Sequence, residues 1–271
     1  MSELEAILES DLIDDPTRSP ATEPDRIVPT ATRRRLWALH AMRAALTLGA
    51  LGAFAVIERT IHGEKPNAFD LDVMVAMGRA RRPWLTRVAK AITWFGGVPG
   101  AGGIAVASVL ASRRRPRAAL QVALGSLGGI VAELGLKQRF GRPRPQHLPH
   151  LEVVGSKSFP SGHAMASSSL YLTLAYVASR SRRLRSERGS LLAAAALLAS
   201  AVGLTRVYLG VHWPTDVLGG LALGTAWASA AEAGFDLTGA QALERTAQAT
   251  PRGANGRGGQ LRGADLSSAV A

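Results

Sequence analysis

The sequence contains no cysteine among its 271 residues, which excludes a disulfide framework and any thiolate-bound metal. It is also short of acidic residues over most of its length. Eight of the twenty carboxylates fall in residues 1–32 (Glu3, Glu5, Glu9, Asp11, Asp14, Asp15, Glu23, Asp25), against only Arg18 and Arg26. No secretory leader is expected: the first thirty residues are polar, acidic and interrupted by proline, with neither the basic start nor the apolar run of a signal peptide. Insertion is therefore expected to begin at the first internal apolar helix. What remains from Arg33 onward is strongly basic, and the formal net charge is +12. A charge of that size suits nucleic-acid binding. Here, however, the arginines stand in short blocks between clustered apolar stretches, the pattern in which membrane topology is written.

Residues 1–32, with Pro16, Pro20, Pro24 and Pro29, read as a disordered acidic tail. Residues 235–271, rich in Gly, Ala, Arg and Gln, read as a second loose tail. Between them, residues 33–234 form one all-α unit with six candidate membrane spans: about Leu36–Ile57, Leu85–Ala111, Ala118–Leu136, Ala164–Ser179, Ser190–Leu204 and Val217–Ala231. The second is interrupted by Gly96-Gly97-Val98-Pro99-Gly100, which membrane helices tolerate but which loosens them. Several fall short of the roughly 20 residues that cross a bilayer, so each must borrow a turn from its flanks or meet a locally thinned membrane.

If six helices alternate, Arg33–Arg35, Arg113–Arg117 and Arg180–Arg188 share one side. By the positive-inside rule that side is cytoplasmic, so both termini lie inside the plasma (inner) membrane. The opposite side receives loops 58–84, 137–163 and 205–216. In the first of these, Phe69–Met77 suits a short interfacial helix, read as a cap over the bundle rather than a grip on substrate. Gly125, Gly128 and Gly129 suit close helix packing. Glu133, a carboxylate at membrane depth, is a functional candidate by position, with a structural pairing equally open. Arg81 and Arg82 read as lipid anchors, His147 and His150 as exposed loop residues, and Tyr208 and Trp213 as interface or packing aromatics.

Three segments on the outer side carry chemistry: Lys137-Gln-Arg-Phe-Gly-Arg-Pro-Arg144-Pro145, Pro160-Ser161-Gly162-His163, and Thr205-Arg206 through His212 to Asp216, the last joining spans five and six. Lys137, Arg144 and Arg206 can surround a phosphoryl group, arginine adding bidentate geometry. Ser161-Gly162-His163 stands where a helix begins, and the free N–H groups of a helix start bind anions. Pro214 is tolerated in a first helical turn, so a helix starting near Trp213 lets Asp216 fold back and orient His212. Arg139 and Arg142 lie beside the first segment as spare or structural charges.

This constellation resembles the type 2 phosphatidic acid phosphatase (PAP2) superfamily of membrane phosphatases, whose signatures are K-x6-RP, PSGH and SR-x5-H-x3-D. The chain matches them as Lys137…Arg144-Pro145, Pro160–His163 and Arg206…His212…Asp216. Thr205 stands where the family usually has serine and keeps the hydroxyl. The resemblance covers roughly residues 36–233. It implies a bundle of six transmembrane helices with an active site at the outer membrane surface, and hydrolysis of a lipid phosphate or diphosphate. It also implies roles. His212 would be the nucleophile, becoming a phosphohistidine, and Asp216 would orient it. His163 would serve as general acid and then base, while Lys137, Arg144, Ser161, Gly162 and Arg206 hold the phosphate oxygens. Neither metal nor cofactor is expected, fixed cations standing in for Mg²⁺. The substrate would be a lipid in the bilayer, such as a polyprenyl diphosphate or a phosphatidic-acid-like lipid, with no nucleic-acid partner. Two other classes share such a pocket. A vanadate-dependent haloperoxidase is soluble, which six apolar spans argue against. A non-catalytic lipid-phosphate binder or transporter would need the cations but not His163, His212 and Asp216.

Overall fold

A computed structural model describes the backbone of residues 30–61, 66–155 and 157–249, and the side chains of residues 37–61, 66–127, 134–155 and 157–236. Most of the acidic tail, all residues beyond Ala249, and the side chains of Glu133, Gly128 and Gly129 lie outside the described residues. Among the described residues the chain is all helical apart from one isolated bridge between Pro143 and Lys157. In order, the helices are α1 (Thr30–Thr60), α2 (Ala68–Ala80), α3 (Pro83–Trp94), a π-turn (Val98–Gly102), α4 (Gly103–Ala111), α5 (Pro116–Phe140), α6 (Gly162–Ser179), α7 (Arg188–Tyr208) and α8 (Pro214–Ala249).

Helix α6 is the centre of the bundle, packed by α5, α7 and α8. Its sequence explains why. Ser167 and Ser168 turn their hydroxyls back onto the carbonyls of His163 (2.5 Å) and Ala164 (2.9 Å), so a polar helix can be buried without leaving donors unpaired. Gly220 and Gly224 of α8 form the small face that meets it. A Cβ at Gly224 would lie 1.9 Å from Ser168 Oγ, and one at Gly220 would lie 2.5 Å from the Ser161 carbonyl. Gly125 of α5 meets Thr173 in the same way, at 2.4 Å. Small residues four apart are how membrane helices bring backbones together.

Among the described residues, three helical segments are long and apolar enough to cross a membrane: Trp37–Thr60, Pro83–Ala111 and Arg188–Tyr208. Their large side chains face outward, with Trp37 70%, Leu48 68% and Leu197 72% exposed, the reverse of a soluble core and the arrangement expected where lipid is the solvent. The broken second span is as expected, α3 and α4 being separated by the π-turn. Two expected boundaries are corrected. The fifth span ends at Tyr208 rather than Leu204, which places Arg206 on a helix instead of in a loop. The sixth continues past Ala231 to Ala249.

At the end of α6 away from Gly162, the buried charges Arg43, Glu232 and Asp236 meet the partly buried Arg180. Arg180 donates to Glu232 (2.5 and 3.1 Å) and to Asp236 (2.7 Å). Arg43 of α1 pairs with Asp236, lies 3.8 Å from Glu232, and stacks 5.9 Å from the Tyr176 ring centre. Gln121 of α5 donates to Glu232. The network ties α1, α5, α6 and α8, and each charge faces its opposite, the condition under which buried ions are tolerated.

Candidate active site

At the other end of α6 the three segments meet, and each is placed by local sequence. Gly141, at φ 60°, caps α5 by donating to the Lys137 carbonyl (3.3 Å), leaving Lys137 in the last turn. Gly210, at φ 79°, ends α7 in the left-handed region where glycine is favoured. The Val211 and His212 N–H groups then turn back onto the Arg206 carbonyl (3.1 and 3.3 Å), so His212 follows Arg206 by one tight reversal. Pro214 opens α8 as expected, and the Asp216 carboxylate reaches back to the Trp213 N–H (2.9 Å), an acid at the third helical position capping its own helix. The Ser161 N–H donates to the Asp216 carbonyl (3.0 Å), docking the start of α6 beside the start of α8.

His212 is buried and held at both ring nitrogens. Nδ1 lies 3.3 Å from Asp216 Oδ2, and Nε2 lies 3.1 Å from an Arg144 guanidinium nitrogen. Arginine only donates, so Nε2 is the acceptor and the ring proton sits on Nδ1, toward Asp216. The lone pair at Nε2 therefore points at a cation. Burial, first, pushes His212 down to about 4; Asp216 opposes that by hydrogen bond and charge, while Arg144 and Arg206 add to it.

His163, half-buried in the first turn of α6 just ahead of the span expected from Ala164, is pushed down to about 3. Burial is the main cause, followed by the electrostatic effects of Arg206, His212, Lys137 and Arg144. Gly97 gives its ring room, since a Cβ there would stand 3.3 Å from His163 Nε2. Ser161 is fully buried, and its Oγ has no hydrogen-bond partner. As the residue before α6 it makes no side-chain cap, and the first N–H groups of any helix lack intrahelical acceptors. An unpaired hydroxyl beside free N–H groups is a place for an anion.

Arg206 is buried with its Nε unpartnered. One terminal nitrogen donates to Thr93 Oγ1 (2.9 Å) and to Glu152 Oε2 (2.5 Å). Glu152 stands in the loop between α5 and α6, a quarter exposed, so a carboxylate occupies one of the donors that the spacing assigns to phosphate. All eight residues expected at the site gather here. Among the described residues no group of three His, Asp or Glu side chains converges as a metal-binding set, and the donors lining the pocket are cations and N–H groups.

Three further residues were not legible as participants. Arg142, expected as spare or structural, is buried and donates to Asp216 Oδ1 (2.6 Å), Thr215 Oγ1 (2.8 Å) and Asp70 Oδ2 (2.7 Å). Its guanidinium also lies 5.4 Å from the Trp213 ring centre. Asp70 of α2 is fully buried and also receives the Thr215 N–H (2.9 Å), so α2 is more than a cap. Arg81, expected as a lipid anchor, donates to the Tyr208 carbonyl (3.2 Å) at the end of α7. Trp213 is a packing residue, its indole N–H on the Pro143 carbonyl (3.0 Å). His147 and His150 are exposed, as expected.

Comparison with known proteins gives one consistent result. The profile of the PAP2 superfamily matches residues 118–235. Phosphatidylglycerophosphatase B of Bacillus subtilis is 31% identical over 175 residues, 63% of this chain and 85% of that one. Decaprenylphosphoryl-5-phosphoribose phosphatase of Mycolicibacterium smegmatis is 33% identical over 153 residues, covering 55% and 78%. The crystal structure of a transmembrane PAP2-type phosphatidylglycerolphosphate phosphatase from Bacillus subtilis superposes with a TM-score of 0.65 at 30% identity, covering 72% of this chain and 97% of that one.

Proposed function

This chain belongs to the PAP2 superfamily, and from that membership we propose that it is a metal-independent phosphatase of membrane lipid phosphates or diphosphates acting through a phosphohistidine. Its relatives are lipid phosphatases by name, and its apolar helices make it a membrane protein.

The observation that carries the mechanism is the double hold on His212: Asp216 at Nδ1 and Arg144 at Nε2. In the resting site Arg144 covers the nucleophilic lone pair. A bound phosphate takes that N–H and exposes Nε2 to phosphorus. The N–P bond then forms as the bond from phosphorus to the lipid oxygen breaks, and His163 gives its proton to that oxygen. Water attacks next, His163 takes its proton, the N–P bond breaks and phosphate leaves. Lys137, Arg144, Arg206, the Ser161 hydroxyl and the Gly162 N–H hold the phosphoryl oxygens, the positioning and charge stabilisation on which phosphoryl transfer depends.

The resting basicity of His163 fits this order. At about 3 it is neutral in the empty site, and the negative charge of a bound phosphate offsets the cations that hold it down. The acid is thus made by its own substrate.

We assign the catalytic unit to residues 33–234, with six spans in the plasma membrane, cytoplasmic termini and an outward-facing site. The arginine blocks support that orientation. A polyprenyl diphosphate or a phosphatidic-acid-like lipid, its chains in the bilayer and its head in the pocket, is the substrate class. The test is phosphate release in detergent with EDTA present, from polyprenyl diphosphate, phosphatidic acid, phosphatidylglycerol phosphate and a soluble ester. Release from one lipid that vanishes in His212→Ala is the expected result. Release that needs an added divalent ion, or that survives in His212→Ala, overturns the mechanism.

A further inference from the structure

Resting on that reading, we propose that Asp70 is a positioning residue for the reaction, acting through Arg142 to set the orientation and net charge of the Asp216–His212 pair. It lies on α2, well before the residues 118–235 that match the family profile.

The polar contacts of the Asp70 carboxylate go to Thr215 at the head of α8 and to Arg142, which itself reaches Asp216. Oδ2 accepts from Arg142 (2.7 Å), Oδ1 accepts from the Thr215 N–H (2.9 Å), and the Thr215 hydroxyl donates to it at 2.8–2.9 Å. Arg142 continues the line to Asp216 Oδ1 (2.6 Å), leaving Oδ2 of Asp216 for His212 and the Trp213 N–H. Asp70, Arg142 and Asp216 are all buried, so water does little to screen their charges.

The alternation of sign has a consequence for the nucleophile. Alone, Arg142 would neutralise Asp216 and weaken its pull on the His212 ring. The ring gains a positive charge when Nε2 bonds to phosphorus, and it already faces Arg144 and Arg206. Asp70 cancels Arg142, so the three groups together present one negative charge to the imidazolium.

The test uses the full chain in detergent, on whichever lipid phosphate the unmodified protein hydrolyses. Asp70→Asn keeps the shape and removes the charge. Its kcat is expected to fall roughly 10–100-fold, the scale of partners one step behind metal-binding histidines, with KM little changed. The acid limb of kcat/KM, where His212 must lose its proton, is expected at lower pH. His212 is faced by Asp216 of α8, Arg144 of the preceding loop, Arg206 of α7 and His163 of α6, and less net negative charge among them disfavours its protonated form. Arg142→Gln removes a positive charge, so its limb should move the other way. The double variant Asp70→Asn/Arg142→Gln restores the single net negative charge and should bring the limb back; it is read directly if Asp70→Asn does not fold. A folded Asp70→Asn with the original kcat and limb overturns the proposal. So does an Arg142→Gln limb that fails to rise, or a double variant whose limb does not return. His212→Ala, run alongside, separates the two levels: if it still turns over, the nucleophile assignment fails. If it is dead while the Asp70 and Arg142 limbs stay put, only the role of Asp70 fails.

Discussion

The two ends of α6 handle charge in opposite ways. At the end that carries Arg180, two guanidiniums meet two carboxylates, a glutamine satisfies one of them, and four helices are tied together. At the end that carries His163, about 26 Å away by helix rise, Lys137, Arg144 and Arg206 all act on His163, Glu152 takes one Arg206 nitrogen, and among the described residues the Ser161 hydroxyl and Arg206 Nε have no hydrogen-bond partner. At the first, each charge faces its opposite. At the second, a carboxylate and a histidine lone pair occupy arginine donors while a buried hydroxyl and the Arg206 Nε–H stay open. Opposite charges paired within the protein hold the fold, and buried polar atoms left open mark where a ligand fits.

That contrast predicts a clean separation between variants at the two ends. The largest effect should come at the open end: His163→Ala is expected to lower kcat by roughly 10²–10⁴-fold, the usual worth of a positioned acid, with the thermal midpoint in detergent little changed. Turnover close to the original would remove His163 from the reaction. At the closed end the pattern should invert. Glu232→Ala strands Gln121 and leaves Arg43 and Arg180 to share Asp236, and breaking a buried pair from one side costs about 3–5 kcal/mol. The midpoint should drop sharply while the folded fraction keeps its specific activity. Loss of activity without loss of stability there would mean that the two ends are coupled.

A smaller effect should sharpen the open end itself. Glu152 and an incoming phosphate compete for Arg206. Glu152→Gln is expected to tighten competitive inhibition by orthophosphate roughly fivefold, equivalent to about 1 kcal/mol. An unchanged inhibition constant would show that the carboxylate is not displaced.

Much of the open end was legible because its residues are tied by spacing. Lys137 and Arg144 flank a helix end, Ser161–His163 opens a helix, and Pro214 sets Asp216 one turn from His212. The Arg206 position was misjudged by a few residues, since the span was ended at Leu204; Gly210, two residues beyond Tyr208, was the stop signal. The closed end was not legible at all. Arg43 and Asp236 are 193 positions apart, and neither neighbours anything that announces a partner. Asp70 and Arg142 escaped for the same reason, being 72 apart. Among the described residues α6, the helix on which α5, α7 and α8 pack, is not one of the strongly apolar spans because it faces protein and can carry serines. Hydropathy reports exposure to lipid, and the most important helix has little.

The finest test follows the proton. Folding holds His212 near 4 and His163 near 3, whereas an unfolded chain protonates histidine near 6.5. The unfolded state therefore binds more protons between about pH 6.5 and 4, and stability should fall as pH drops through that window. A bound anion should reverse the bias at His163, because it offsets Arg206, Lys137 and Arg144 together. Binding of orthovanadate at pH 7 is then expected to draw up to about one proton from buffer, read as a dependence of the calorimetric binding heat on the ionisation enthalpy of the buffer. His163→Ala should bind with that dependence reduced. If uptake is the same in both proteins, the proton goes to the anion or to His212 instead, and the leaving oxygen must find its acid elsewhere. If uptake disappears only when His163 is lost, the excess charge at the open end has a second use: it keeps the acid neutral until there is something to protonate.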